Sequence, residues 1–195
     1  PAELKVKNGQ YKEGYWNTDR YFKNHADAIR REFTLKTPMG AEGQTAIAEI
    51  RQAKQSGMQT VLIHVRRGDY ITNPHAAAHH GAMEADYFLA ALKLIDEKNP
   101  GPKHVFFASE DAEWIRDNIT TQHATSFITR PGIKDYEEIL IMAECDHFII
   151  SNSSFSWWAA WLSTNPAKTV IAPKQWVRNP KIKTDHATPE NWIRI

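Results

Sequence analysis

Between residues 60 and 173, short apolar β-branched runs alternate with amphipathic stretches, and this alternation leaves the chain few folds to choose from. Strands are read at 60–65, 104–108, 125–129, 147–150 and 169–172, with helices at 84–98, 111–119, 134–145 and 154–163 between them. Strand and helix in regular succession is the pattern of βαβ units, whose crossover helices cover both faces of a parallel sheet. The expected fold class is therefore α/β, a Rossmann-like parallel sheet with helices on both faces. Two helices are read ahead of it. Asp19 to Phe33 carries Tyr21, Phe22, Ile29 and Phe33 as a buried stripe, and Thr45 to Ser56 follows a break over Thr37 to Gly43. Residues 66–82 read as a loop rich in Asn, Pro and His, and the tail from Lys174 reads as irregular. This divides the chain into a helical lead-in, 1–58, and a sheet domain, 59–195.

The most informative segment is TVLIHVRRGDY, residues 60–70. A buried strand runs straight into His64, Arg66, Arg67, Gly68, Asp69 and Tyr70. Two adjacent guanidiniums at a strand end are costly to bury unless an anion answers them. Alone, the pair reads as a solvated surface turn; in an open α/β sheet, the same place is the ligand crevice. A second segment, SNSSFSWWAAWLS at 151–163, follows the strand HFII. Ser151, Asn152, Ser153 and Ser154 crowd a helix start, where their side chains cap free backbone N–H groups. Free N–H groups and the macrodipole both favour an anion there. Alone, this segment reads as a capped helix with an aromatic stripe. Together the two segments place two anion-competent strand ends on one parallel sheet, one using arginine and one using N–H groups.

Two acidic segments complete the set. ASED, residues 108–111, ends another strand, so its carboxylates suit ribose hydroxyls or a base and equally suit the start of the next helix. Asp135 to Glu138 opens the helix before HFII, where a carboxylate can accept from the paired N–H donors of guanine. Solvated acids are the plainer reading of that cluster.

HVRRGDY (64–70) together with SNSSFSWWAAWL (151–162) resembles the α-1,2-fucosyltransferases of glycosyltransferase family 11. GYWNTDRYF (14–22) and ILIMAECDHFIIS (139–151) are similar to that family as well, so the resemblance covers nearly the whole chain. It implies the donor-binding half of a GT-B-type, metal-independent, inverting transferase that moves L-fucose from GDP-L-fucose to a galactoside hydroxyl of a glycan. It also implies an N-terminal acceptor half opening with a GGLGNQMFQ-like stretch. That stretch is not among these 195 residues, so the isolated chain is expected to be a poor enzyme. By the same resemblance Arg66 grips the β-phosphate, with His64 beside it. Ser153, Ser154 and Phe155 form the phosphate-binding turn, and Ser109 and Asp111 form the second donor motif. Glu138 stands where relatives usually have an aspartate that reads guanine. Arg67 and Asn152 are counted with the donor contacts. Asp69, the only acid inside the first motif, is counted with Arg66 as catalytic, chiefly by holding the arginine loop.

The chemistry of the leaving group agrees. Negative charge grows on the β-phosphate as the C1–O bond breaks, and the chain has no Asp-x-Asp motif. Arg66 can answer that charge as a fixed bidentate donor. No cofactor or metal is expected beyond the donor substrate. Net charge is +1, which removes a global argument for nucleic acid or an anionic membrane. No apolar stretch reaches a membrane span of about 20 residues. The one cysteine, Cys145, precludes an internal disulfide and fits a reducing compartment. The expected location is the cytoplasm, with peripheral attachment at the inner membrane face as a further option. HAAAHH (75–80) places three histidines close together, yet no carboxylate or cysteine at ligand spacing, and is read as loop rather than zinc site. The competing functions are a non-catalytic nucleotide-sugar-binding domain and a single-stranded nucleic-acid binder.

Overall fold

The computed structural model describes residues 8–11 and 18–195. Residues 14–17 of the GYWNTDRYF resemblance therefore lie outside the described residues. Six strands form one all-parallel sheet: β1 (Gln59–His64), β2 (Lys103–Ala108), β3 (Ala124–Phe127), β4 (His147–Ile149), β5 (Val170–Ala172) and β6 (Ile193–Arg194). Their order is β3-β2-β1-β4-β5-β6. The chain winds outward from β1 to β3 and then returns to the other side of β1. The point of reversal, between β1 and β4, is where such sheets open a crevice beyond their carboxyl ends.

Period-2 alternation splits the sheet into two faces. Val61, Ile63 and Val65 pack with Phe88, Ala91, Leu92 and Ile95 of α5 (Ala85–Lys98) and with Ile115 of α6 (Ala112–Asn118). On the other face, Leu62, Phe106 and Phe148 meet α2 (Ala41–Gln55), α7 (Asp135–Ala143) and α8 (Ser154–Leu162). Helices on both faces bury the four central strands β1, β2, β4 and β5, which is why β1 and β2 read as near-continuous apolar runs. α2 contributes Ala46, Ile50 and Ala53 to this core.

Four local expectations change. Residues 66–82 are not a plain loop; they hold α3 (Gly68–Thr72) and α4 (Pro74–His79). Asn73 caps α4 by accepting from the backbone N–H of His75 at 2.9 Å, and Pro74 sits in the first turn, where its missing N–H costs nothing. α2 starts at Ala41, inside the expected break. Gly43 lies within it because a Cβ there would meet Met39 Cγ at 2.6 Å. The stretch 19–33 splits into two 3-10 turns and α1 (Ala26–Glu32). Within its stripe Phe22 and Ile29 pack on the core, whereas Tyr21 and Phe33 are exposed. Finally, the tail adds β6 to the sheet edge and buries Trp176 and Trp192.

The exits of β1 and β4 are joined by one side chain. The Ser151 hydroxyl donates to the His64 carbonyl at 2.8 Å and accepts from the Arg66 N–H at 3.0 Å. Ser151 is fully buried, so neither backbone group has water as a substitute partner. Ser151→Ala is expected to cost about 1–3 kcal/mol, the penalty for orphaning buried polar groups. Urea unfolding should show a lower midpoint at unchanged slope; an unchanged midpoint would show that the strand exits do not need this tie.

Candidate active site

A cavity of about 720 Å³ opens beyond the carboxyl ends of β1 to β4. This lies within the roughly 300–1,000 Å³ of small-molecule sites. The strand order arranges its walls. Thr129 follows β3, Ser109 and Glu110 follow β2, His64 and Arg66 come from β1, and Ser153 to Phe155 follow β4. β3 and β4 are three interstrand spacings apart, roughly 14 Å, so the cavity is a trough along the sheet edge.

Arg66 and Arg67 part company on leaving β1. Arg66 lines the cavity, half-exposed, with its guanidinium 2.7 Å from Asp69 Oδ1 and 3.5 Å from Glu110 Oε1. Arg67 turns away. Its Nε donates to Asp111 Oδ2 at 2.9 Å, and its guanidinium lies 4.1 Å from the centroid of Trp114. Asp111 in turn caps α6 by accepting from Trp114 N–H at 3.1 Å. Asn152 is also directed inward: its Nδ2 donates to the carbonyls of His80, Gly81 and Trp176. Among the residues expected to touch a donor, Arg67, Asp111 and Asn152 therefore do not line the cavity. They hold its frame. His64, Arg66, Asp69, Ser109, Glu138, Ser153, Ser154 and Phe155 are brought together around it.

The side facing β4 is built for negative charge. Ser153 is the N-cap of α8, its hydroxyl accepting from Phe155 N–H at 3.3 Å. The start of α8 faces the cavity that Arg66 faces, so a macrodipole terminus and a guanidinium address one volume. His64 is buried between them. Burial, and then the nearby Arg66 charge, push its pKa down to about 3, so the imidazole is neutral near pH 7. Its Nδ1 is buried without a hydrogen-bond partner among the described residues.

The side facing β3 is acidic, lined by Asp135 and Glu138 from α7. Burial raises the Glu138 pKa above the usual carboxylate range; a hydrogen bond from the Thr129 hydroxyl opposes this, and the charges of Asp135 and Glu110 add to it. Glu137, between them in sequence, turns to the backbone N–H groups of Gly40 and Lys134 and joins α2 to α7.

A third wall was not anticipated from sequence. Tyr70 of α3 donates from its hydroxyl to the Asn152 carbonyl at 3.0 Å, and burial pushes its pKa up to about 12. The His80 ring stacks on Tyr70 at 4.9 Å, and His79 meets His80 edge-on at 4.6 Å. His75 and His79, one helical turn apart on α4, both line the cavity. The signal was present: Asn-Pro ahead of HAAAHH is a helix start as much as a turn, and a helix puts His75 and His79 on one face. Among the described residues, no group of three or more His, Cys, Asp or Glu side chains is disposed to hold a metal ion. Nor is any helix among them long and apolar enough to cross a membrane.

Fold and crevice together define a class, the doubly wound α/β proteins whose ligands lie beyond the strand ends at the switch point. Within it, the chain belongs to glycosyl transferase family 11, whose model matches residues 5–195. It is 30% identical over 197 residues to the O-antigen biosynthesis glycosyltransferase WbnK of Escherichia coli, covering 100% of this chain and 63% of that protein. It is 30% identical over 188 residues to an alpha-1,2-colitosyltransferase of Escherichia coli, covering 93% and 61%. To the human galactoside alpha-(1,2)-fucosyltransferase 1 it is 25% identical over 147 residues, covering 73% and 40%. The chain thus spans no more than about three fifths of the length of these relatives.

The parting of the two arginines has a measurable consequence. Arg67→Ala removes a half-buried ion pair and a ring contact and should lower unfolding stability by about 1 kcal/mol. Arg66→Ala, by contrast, should stay within about 0.5 kcal/mol of wild type. Chemical denaturation of both variants checks this, and equal losses would contradict the assigned roles.

Proposed function

We propose that this chain is the donor-binding half of an inverting, metal-independent α-1,2-fucosyltransferase. It would transfer L-fucose from GDP-L-fucose to a hydroxyl of a galactose-terminated glycan. The observation that carries the reading is the division of charge along one trough. Arg66 and the start of α8 address the cavity near β4, while Asp135 and Glu138 address it near β3. A nucleoside diphosphate with donor-bearing guanine matches that order. Family membership supports glycosyl transfer, and the relatives named for alpha-1,2 linkages support the linkage.

In this reading the acceptor hydroxyl attacks the sugar C1 and gives up its proton to a base on the acceptor side, the C1–O bond to the β-phosphate breaks, and GDP leaves with the electron pair and the added charge. Arg66 meets that charge as a positioned donor. Asp69 orients the guanidinium through its 2.7 Å contact. Ser153, Ser154 and Phe155 place hydroxyl and N–H groups around the phosphates. His64, neutral and buried beside Arg66, completes the wall without adding charge. Ser109 meets the ribose, and Glu138 accepts from guanine N1–H and the 2-amino group. We place the reaction in the cytoplasm, the reducing compartment that the buried thiol of Cys145 suits, with or without attachment at the inner membrane face. A colitosyl donor is the second reading, favoured by the 30% identity to a colitosyltransferase. Donor binding without turnover is the reading for the chain by itself, because it spans about three fifths of its relatives. An acceptor not held in line behind C1 forfeits most of the rate.

Titration calorimetry tests the reading. GDP and GDP-fucose are expected to bind equally well with EDTA present, ahead of ADP and UDP, and Arg66→Ala should weaken both. Loss of binding in EDTA, or equal affinity for all three nucleotides, would overturn it. Transfer to lactose should be slow for this chain alone and rise when an N-terminal acceptor half is supplied; a colitosyl nucleotide competing better than GDP-fucose would select the second donor.

A further inference from the structure

We infer that Thr129 is a positioning residue that sets base selectivity in this cavity, by fixing one carboxylate oxygen of Glu138 and leaving the other free for two adjacent N–H donors of a ligand. The inference rests on reading the cavity as a guanosine diphosphate site and names a determinant of that site outside the sequence motifs.

Thr129 stands two residues beyond β3, at the acidic part of the trough. Its hydroxyl oxygen accepts from the Ser109 backbone N–H at 2.9 Å, and its single proton goes to Glu138 Oε1. A hydroxyl has one proton and rotates to suit its neighbours. Here the amide of Ser109 occupies the acceptor side, so the proton has a defined direction. The exits of β2 and β3 and the first turn of α7 are thereby linked through one oxygen atom.

The link matters because Glu138 lies in an unfavourable place for a charge. It is 9% exposed, and the charges of Glu110 from the β2 exit and Asp135 from its own helix both oppose ionisation. The Thr129 hydroxyl is the contact that favours the ionised form. Glu138 Oε2 has no hydrogen-bond partner among the described residues, while the side chain lines the cavity. An ionised carboxylate with one oxygen held and the other open is an acceptor for guanine's N1–H and 2-amino group. Without the Thr129 hydroxyl, the carboxyl takes up a proton at higher pH and is free to rotate. It then presents an O–H donor to a base that itself offers donors.

The sign follows. The binding form is the carboxylate, so GDP affinity is retained at high pH and lost as pH falls through the raised Glu138 pKa. Removing the Thr129 hydroxyl shifts that loss to higher pH.

The experiment compares GDP, inosine diphosphate and pyrophosphate by calorimetry across pH, for wild type, Thr129→Val, Thr129→Ala and Thr129→Ser. Inosine diphosphate keeps N1–H and lacks the 2-amino group, so its ratio to GDP reports the carboxylate's geometry. Wild type should prefer GDP. Thr129→Val and Thr129→Ala should each lose about tenfold of that preference, with the acid midpoint of GDP binding moved upward. Pyrophosphate affinity should stay unchanged. Thr129→Ser, which keeps the hydroxyl, should restore both the ratio and the midpoint. A GDP preference and midpoint unchanged in Thr129→Ala would overturn the inference while leaving the donor reading intact. A wild type that does not prefer GDP over inosine diphosphate and ADP would overturn the donor reading itself. If Thr129→Val does not fold, the Ala and Ser pair still decides the matter.

Discussion

The Ser151 hydroxyl, shared between the His64 carbonyl and the Arg66 N–H, is the contact on which the site depends. A parallel sheet holds β1 and β4 together only as far as the ladder runs, and that ladder ends at the pairing of Ile63 with Ile149. Beyond it the two chains must diverge for a crevice to form, and divergence leaves buried backbone groups without partners. Ser151 satisfies one backbone group on each side of Val65 and sets the point of departure. From there Arg66 enters the trough and Arg67 leaves it. From there too, Asn152 and Ser153 turn the β4 exit into the start of α8.

The surroundings of Arg66 show how a cation is kept ready without being used up. Asp69 and Glu110 are both within ion-pair distance, and Tyr70 offers its ring at 5.7 Å. Glu110 also accepts from the Arg67 N–H at 3.1 Å, and Gly68 leaves it room, since a Cβ there would come within 2.5 Å of Glu110 Oε1. These groups are all partly exposed, so the pairing is screened and exchangeable. A diphosphate carries more charge than either carboxylate and adds the N–H groups of α8. Arg67 is the opposite case. Its side chain is 14% exposed and committed to Asp111 and Trp114, contacts that stiffen the frame.

The main sheet strands were legible because a strand buried on both faces must be apolar throughout, and β1 and β2 are. The motifs at the exits of β1 and β4 were legible because anion chemistry needs arginine and capping residues at strand ends. β6 was not: two residues pairing at a sheet edge leave no periodic pattern. The early start of α2 was hidden by Gly40 and Gly43. Both read as breakers, yet Gly43 is demanded by the close approach of Met39. α4 was hidden because Asn-Pro marks turns and helix starts alike.

The sequence by itself determined the fold class, the family resemblance and the two anion-competent strand ends, since each is a local pattern with a physical cause. Only the tertiary structure decided which members of each motif line the cavity. It turned Arg67 onto Asp111 and Asn152 onto the carbonyls of His80, Gly81 and Trp176, while leaving Glu110 and Ser153 at the cavity. It also joined Thr129 to Glu138 and brought His75 and His79 to the cavity that Ser153 to Phe155 line. Adjacent residues share a sequence pattern but point in different directions. Those directions follow from strand exits, caps and partners that come from elsewhere in the chain.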